Sequence, residues 1–222
     1  VNEAAWLVTE GAAPAAVDAS GREATGVGPL ALADRVGLDR CRWVLDRLSD
    51  DVGEPYDPAP ALRERVADGD LGSKTGGGFH DGATGAGPSG DGVDESWGRR
   101  LLGVLARETA ALDATGVVDP STTDRVVGLA TGLPRGPARL ADDAGLDALV
   151  AALDTAREAT GHPRYVVPDA LRDRADAARP FYDAEAPAAV GVRGERLPDE
   201  PGVARVVLDR PGRANALDVE AV

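Results

Sequence analysis

The sequence predicts a mainly α protein: two tandem copies of one helical unit, followed by a short β-containing tail. Three observations carry this expectation. A string recurs in register, apolar residues keep helical spacing through most of residues 1–183, and strand signals are nearly absent before residue 190. Residues 28–39 (GPLALADRVGLD) and 136–147 (GPARLADDAGLD) share eight positions. Upstream, Glu3 and Gly11 correspond to Glu108 and Gly116; downstream, Gly53-Glu54-Pro55-Tyr56 is echoed by Gly161-His162-Pro163-Arg164-Tyr165.

Taken in order, the first helix runs from Val1 or before to Glu10, with Gly11 suited to its C′ position. Leu38, Cys41, Val44, Leu45, Leu48 and Val52 follow a helical period, with Asp39 as the expected N-cap and Gly53 as the stop. Pro55, Pro58 and Pro60 force an extended stretch before a short helix around Leu62–Val66. In the second copy Ser96 is placed to cap a helix carrying Leu101, Leu102, Leu105 and Leu112, and Asp119-Pro120 is a cap followed by proline at the first helical position. Residues 190–196 and 203–208 read as two short strands joined by LPDEPG, and DRPGRANALD as a loop leading into a helix. The expected boundaries are 1–83 for the first copy, 84–95 for a Gly-rich acidic linker, 96–183 for the second copy, and 184–222 for a linker and the truncated start of a further domain. Helical pattern at the first residue and periodicity at the last read as a piece of a longer protein. The first copy is expected to pack on the second, burying the faces around Leu38–Val52 and Leu146–Leu153.

Charge narrows the function. A formal net charge of −14 repels a phosphate backbone and argues against nucleic acid as a partner. No run of about 18 apolar residues is present, so no membrane span is expected. The basic set is 23 Arg and one lysine, Lys74. With abundant Asp, this resembles the composition of proteins from extremely salt-loving archaea, where concentrated salt screens carboxylate repulsion to within about 3 Å. A GC-rich genome also explains the arginines, but not the acidic excess. The single cysteine, Cys41, excludes an internal disulfide and suits a reducing cytoplasm.

These strings resemble a known family. NEAAWLVTEG, GPLALADRVGLD, Glu54-Pro55-Tyr56 and LGSKTGGGF at 71–79 are similar to the C-terminal helical domain of 3-hydroxyacyl-CoA dehydrogenases. ARETAALDATGVV, TGLPRGPARLADDAGLD and HPRY are similar to the same domain duplicated in long, multifunctional members. VARVVLDRPGRANALD resembles the opening of the enoyl-CoA hydratase (crotonase) family. The resemblance implies a fused enzyme of fatty acid β-oxidation that acts on an acyl-CoA substrate, with NAD bound mainly by a dinucleotide-binding domain upstream. The alternative is a non-catalytic helical dimerisation or interaction module.

The resemblance assigns no catalytic residue to this chain. The family's His–Glu pair and its Gly-rich phosphate loop lie upstream, and Gly76-Gly77-Gly78 lacks the strand–turn–helix context of such a loop. A substrate-binding asparagine of the family also falls before residue 1, and Asn2 aligns too late to be it. One site carries over: Lys74 occupies the place of the lysine that reaches the cofactor, and the competing reading makes it a solvated surface residue. The second copy has no such string, and Arg179-Pro180-Phe181-Tyr182 stands in its place. His80 and His162 read as loop residues with no metal-ligand spacing, and Cys41 as core rather than nucleophile. Asp34 and Asp142 read as local hydrogen-bonders, Trp6, Trp43 and Trp97 as packing anchors, and Asn215 as a turn residue.

Overall fold

A computed structural model describes residues 1–80 and 92–182, together with the backbone of 191–196 and 204–209. The chain divides into two units, Val1–Phe181 and Tyr182–Val222. The first is all helical. The described part of the second is an antiparallel pair, β1 (Gly191–Arg196) and β2 (Ala204–Asp209), in which Gly191 faces Asp209 and Arg196 faces Ala204. The mainly α class therefore stands. The linker at 84–95 and Asn215 lie largely or wholly outside the described residues.

Ten helices are described: α1 (Asn2–Thr9), α2 (Pro14–Thr25), α3 (Pro29–Val36), α4 (Leu38–Val52), α5 (Pro60–Asp68), α6 (Glu95–Ala114), α7 (Pro120–Thr131), α8 (Pro137–Ala144), α9 (Leu146–Thr160) and α10 (Asp169–Asp176). A 3-10 turn follows α4 at Glu54–Tyr56 and another follows α9 at Pro163–Tyr165. Five of the helices begin with proline, whose fixed φ suits the first helical position and whose missing N–H leaves nothing unpaired there. This start signal marks α2 and α3, which apolar periodicity alone leaves undrawn.

Three local expectations are corrected. Gly37, at φ 102°, is the N-cap of α4, and Asp39 lies inside its first turn. Asp94 rather than Ser96 caps α6, accepting from the Ser96 amide at 2.8 Å. The apolar face of α4 is largely open: Trp43 is 66% exposed and Val52 63%, so Trp43 is no packing anchor. Trp6 and Trp97 do pack against buried residues, and Asp119 does cap α7.

Two cores flank α6. Ala4, Leu7, Val17, Leu30, Ala33, Leu38, Leu62 and Phe79 cluster with Leu101, on one side of α6. Leu102 and Ala106, on its other side, join Leu146, Leu149, Leu153, Tyr165 and Leu171. Each fully buried leucine contributes about 1.5–3 kcal/mol of transfer free energy. α6 thus packs on α1 and α2 as well as on α8, α9 and α10, which explains why so few of its inward residues are polar.

The seam around α6 is also ionic. Glu3, 5% exposed, accepts from Arg100, from Arg164 Nε at 3.1 Å and from the Tyr165 hydroxyl at 2.7 Å. Glu10 accepts both Arg100 amino groups at 2.6 Å. The Arg164 guanidinium lies 4.2 Å from the Trp6 ring centre and 4.4 Å from that of Tyr165. On the opposite side, the Tyr56 hydroxyl donates to Glu108 at 2.7 Å.

Candidate functional site

The string LGSKTGGGF forms a tight loop after α5. Gly72 and Gly77 make an isolated antiparallel bridge, with the Gly72 amide donating to the Gly77 carbonyl at 2.7 Å. Thr75 closes it from inside: its hydroxyl accepts from the Leu71 amide at 2.9 Å and lies 3.1 Å from the Gly77 carbonyl. Lys74 stands at the tip.

Asp34, at the end of the repeated LAD string, anchors this loop. Its carboxylate accepts the amides of Phe79 at 2.9 Å and His80 at 3.0 Å, and its carbonyl accepts the Ser73 amide at 2.9 Å. The fit leaves no room for a side chain at Gly72 or Gly78, because a Cβ at either position overlaps Asp34. Burial pushes the Asp34 carboxyl above its ordinary range, and the two amides oppose that rise. Arg65 donates to the Gly78 carbonyl and lies 4.9 Å from the Phe79 ring centre.

A second buried carboxylate, Asp18 on α2, extends the anchor. It accepts the amides of Leu30 at 2.7 Å and Ala31 at 2.9 Å, at the start of α3, and lies 2.8 Å from His80 Nε2. His80 is therefore a buried bridge between loop and helix. Asp124 and Asp142 hold corresponding places: Asp124 accepts the amides of Ala138 and Arg139, and Asp142 accepts that of Phe181. Sequence reading found Asp34 and Asp142 as hydrogen-bonders but missed Asp18 and Asp124. The available signal was an aspartate inside the proline-started helix that precedes each Gly-Pro pair.

Lys74 Nζ donates to Asp39 Oδ2 at 2.5 Å, and both side chains are about two-fifths exposed, at 43% and 40%. The ammonium holds the Asp39 carboxyl below its usual value. The Asp39 Oδ1 atom is buried without a hydrogen-bond partner among the described residues. Lys74 thus presents a partly solvated cation whose charge is balanced by a neighbour.

The other candidates have structural partners. Asn2 bridges the Asp57 carbonyl and the Ala59 amide, both at 3.0 Å. His162 packs edge-on to Trp6 at 5.1 Å, and burial lowers its pKa. Cys41 is half-buried against the first core, and that burial raises its thiol pKa, consistent with a core residue rather than a nucleophile. Among the described residues no helix is long and apolar enough to cross a membrane.

The fold and the Asp34-anchored loop define a helical domain that carries a Gly-rich surface loop. The family model for the 3-hydroxyacyl-CoA dehydrogenase C-terminal domain matches residues 1–82 and 97–185, and the chain belongs to this family. It is 44% identical over 85 residues to a probable 3-hydroxybutyryl-CoA dehydrogenase of Bacillus subtilis, covering 36% of this chain and 30% of that protein. The corresponding protein of Deinococcus radiodurans is 42% identical over 84 residues, with the same coverage. The chain therefore spans about a third of the length of the curated relatives it matches. A crystal structure of 3-hydroxybutyryl-CoA dehydrogenase from Escherichia coli K12 superposes with a TM-score of 0.65 at 18% identity, over 79% of this chain and 57% of that one. At that identity the likeness speaks for the fold alone.

Proposed function

We propose that the chain is part of an NAD-dependent 3-hydroxyacyl-CoA dehydrogenase of fatty acid β-oxidation, a cytoplasmic enzyme that oxidises 3-hydroxyacyl-CoA to 3-oxoacyl-CoA. The observation that carries this reading is the family match over residues 1–82 and 97–185. NAD, held mainly by a domain upstream, supplies the acceptor for the hydride leaving C3. This chain supplies the helical support on the substrate side and one cofactor contact, Lys74.

The residues present fit such a contact at the edge of a site. Asp34 and the Gly72–Gly77 bridge fix the loop, so the Lys74 ammonium is held at a rigid tip while remaining accessible. Because Asp39 balances its charge, the pair matches a hydroxyl or amide oxygen better than a bare phosphate. In the full-length protein, Lys74→Ala should raise the Kd for NAD about ten-fold, equivalent to about 1.4 kcal/mol. Lys74→Arg should restore only part, since the planar fork places its donors differently. Equal affinity and turnover in all three proteins would make Lys74 a surface residue. A full-length protein that neither binds NAD nor turns over 3-hydroxybutyryl-CoA would favour the non-catalytic helical module.

We also read residues 1–83 and 96–183 as two copies of one unit that pack on each other. Equal element lengths support this: α2 and α7 have 12 residues, α3 and α8 have 8, and α4 and α9 have 15. So does a reciprocal exchange, in which Glu3 takes the Tyr165 hydroxyl while its counterpart Glu108 takes that of Tyr56. The β1–β2 pair and the string VARVVLDRPGRANALD support a following enoyl-CoA hydratase domain.

A further inference from the structure

The two carboxylate oxygens of Asp39 have different surroundings. Oδ1 turns back on the start of α4, 3.0 Å from where a Cβ on Gly37 would stand, and makes no hydrogen bond among the described residues. Oδ2 takes the Lys74 ammonium at 2.5 Å.

The start of α9 repeats the first arrangement without the second. Gly145-Leu146-Asp147 matches Gly37-Leu38-Asp39, and both glycines have positive φ, 83° and 102°. A Cβ on Gly145 would stand 3.1 Å from Asp147 Oδ1. The string that follows α10 is Arg179-Pro180-Phe181, without a lysine. An aspartate here therefore serves a helix start by itself, where a negative charge meets the positive end of the helix dipole. The contact with a lysine is an addition found at α4.

The backbone prepares that addition. The Leu38 amide donates to the Leu71 carbonyl at 3.2 Å, which ties the start of α4 to the start of the loop. The Ser73 amide, directly before Lys74, donates to the Asp34 carbonyl at 2.9 Å. The lysine stem lies across Gly37, with Cε and Nζ 3.7 and 3.6 Å from where a Cβ would stand. Both partners are thus fixed by the main chain before their side chains meet. An exposed ion pair of this kind adds little to stability. Its consequence is geometric, because it selects one arrangement of a flexible four-carbon stem.

We propose that Asp39 is a positioning residue for the cofactor contact: it takes one of the three ammonium donors of Lys74 and leaves the other two for a hydroxyl or amide oxygen of NAD. Ordering the stem in advance removes an entropy loss that would otherwise fall on binding. This deepens the Lys74 reading and rests on it.

The test is a double-mutant cycle in the full-length protein, with Asp147→Ala as the matched helix-start control. Titration calorimetry gives the Kd for NAD, and steady-state kinetics with 3-hydroxybutyryl-CoA separates KM for NAD from kcat. Asp39→Ala should raise Kd and KM about five-fold, with kcat within about two-fold of the parent. Asp39→Asn keeps an acceptor for the ammonium and should recover part of the loss. In a Lys74→Ala background Asp39→Ala should add nothing, because its effect passes through the lysine. Asp147→Ala should leave Kd at the parent value. Parent affinity in both Asp39 variants, beside a weakened Lys74→Ala, overturns the positioning role and leaves the lysine contact standing. An equal loss in both Lys74 backgrounds, or one matched by Asp147→Ala, assigns the effect to the helix start and overturns it too. Parent affinity in Lys74→Ala removes the cofactor contact, and the positioning role goes with it. Melting curves show which variants are folded, and Asp39→Asn decides the outcome should Asp39→Ala not fold.

Discussion

Glu3 is the residue on which most of the buried polar structure converges. It is nearly inaccessible, and its carboxylate satisfies Arg100, Arg164 and the Tyr165 hydroxyl together. Burial, reinforced by Glu3, pushes the Tyr165 hydroxyl far above its ordinary pKa, so it remains a donor at any working pH. Removing one member of such a cluster leaves a buried charge without a partner. Glu3→Ala should therefore destabilise by about 3–5 kcal/mol in urea unfolding, whereas Glu10→Ala, at a position 35% exposed, should cost at most about 1 kcal/mol. Equal losses would mean that the cluster is not the buried anchor its geometry indicates. None of these partners was legible in the sequence. Glu3 and Glu108 stood out as matched positions, but the pairing of Glu3 with Arg164 spans 161 residues and follows no local pattern. The same holds at the candidate site. The sequence singles out Lys74 and its glycines, while Asp39 reaches this loop from 35 positions away in the first turn of α4.

At the scale of elements, punctuation proved more legible than periodicity. Proline starts and glycine stops bound most helices, and Asp119 caps α7 as its Asp-Pro pair announces. Periodicity misled at α4, where an apolar stripe at core spacing lies largely open. Of that stripe only Leu38 is buried among the described residues. Asp119 also sets a pH window. Hydrogen bonds from Ser121 and the Thr122 amide hold its carboxyl at about 2, below the ordinary 3.8. A depressed folded value means that the stabilisation is present above pH 3.8 and is lost as pH falls through about 2. Amide exchange at Thr122 should accelerate across that window, beyond the intrinsic pH trend. Asp119→Asn keeps the cap acceptor without the titration and should abolish the step. A step that persists in the Asn variant would assign it to another carboxylate.

For the whole molecule, net charge sets the conditions in which the fold is expected to hold. With −14 distributed over 222 residues, mutual repulsion at low ionic strength opposes the compact state. Melting followed by circular dichroism should give a higher Tm at about 3 M KCl than at about 0.1 M. An unchanged or lower value would remove the salt-loving reading. The bond between Glu3 and Arg164 carries a consequence for synthesis. A ribosome adding about 5–20 residues per second delivers Arg164 roughly 8–30 s after Glu3. Arg100, 97 positions after Glu3, arrives earlier and can take its carboxylate first, so what waits for the whole interval is the second cation and the Tyr165 hydroxyl that complete the cluster. The first half can collect its leucines early, but it cannot be finished before the second half leaves the exit tunnel.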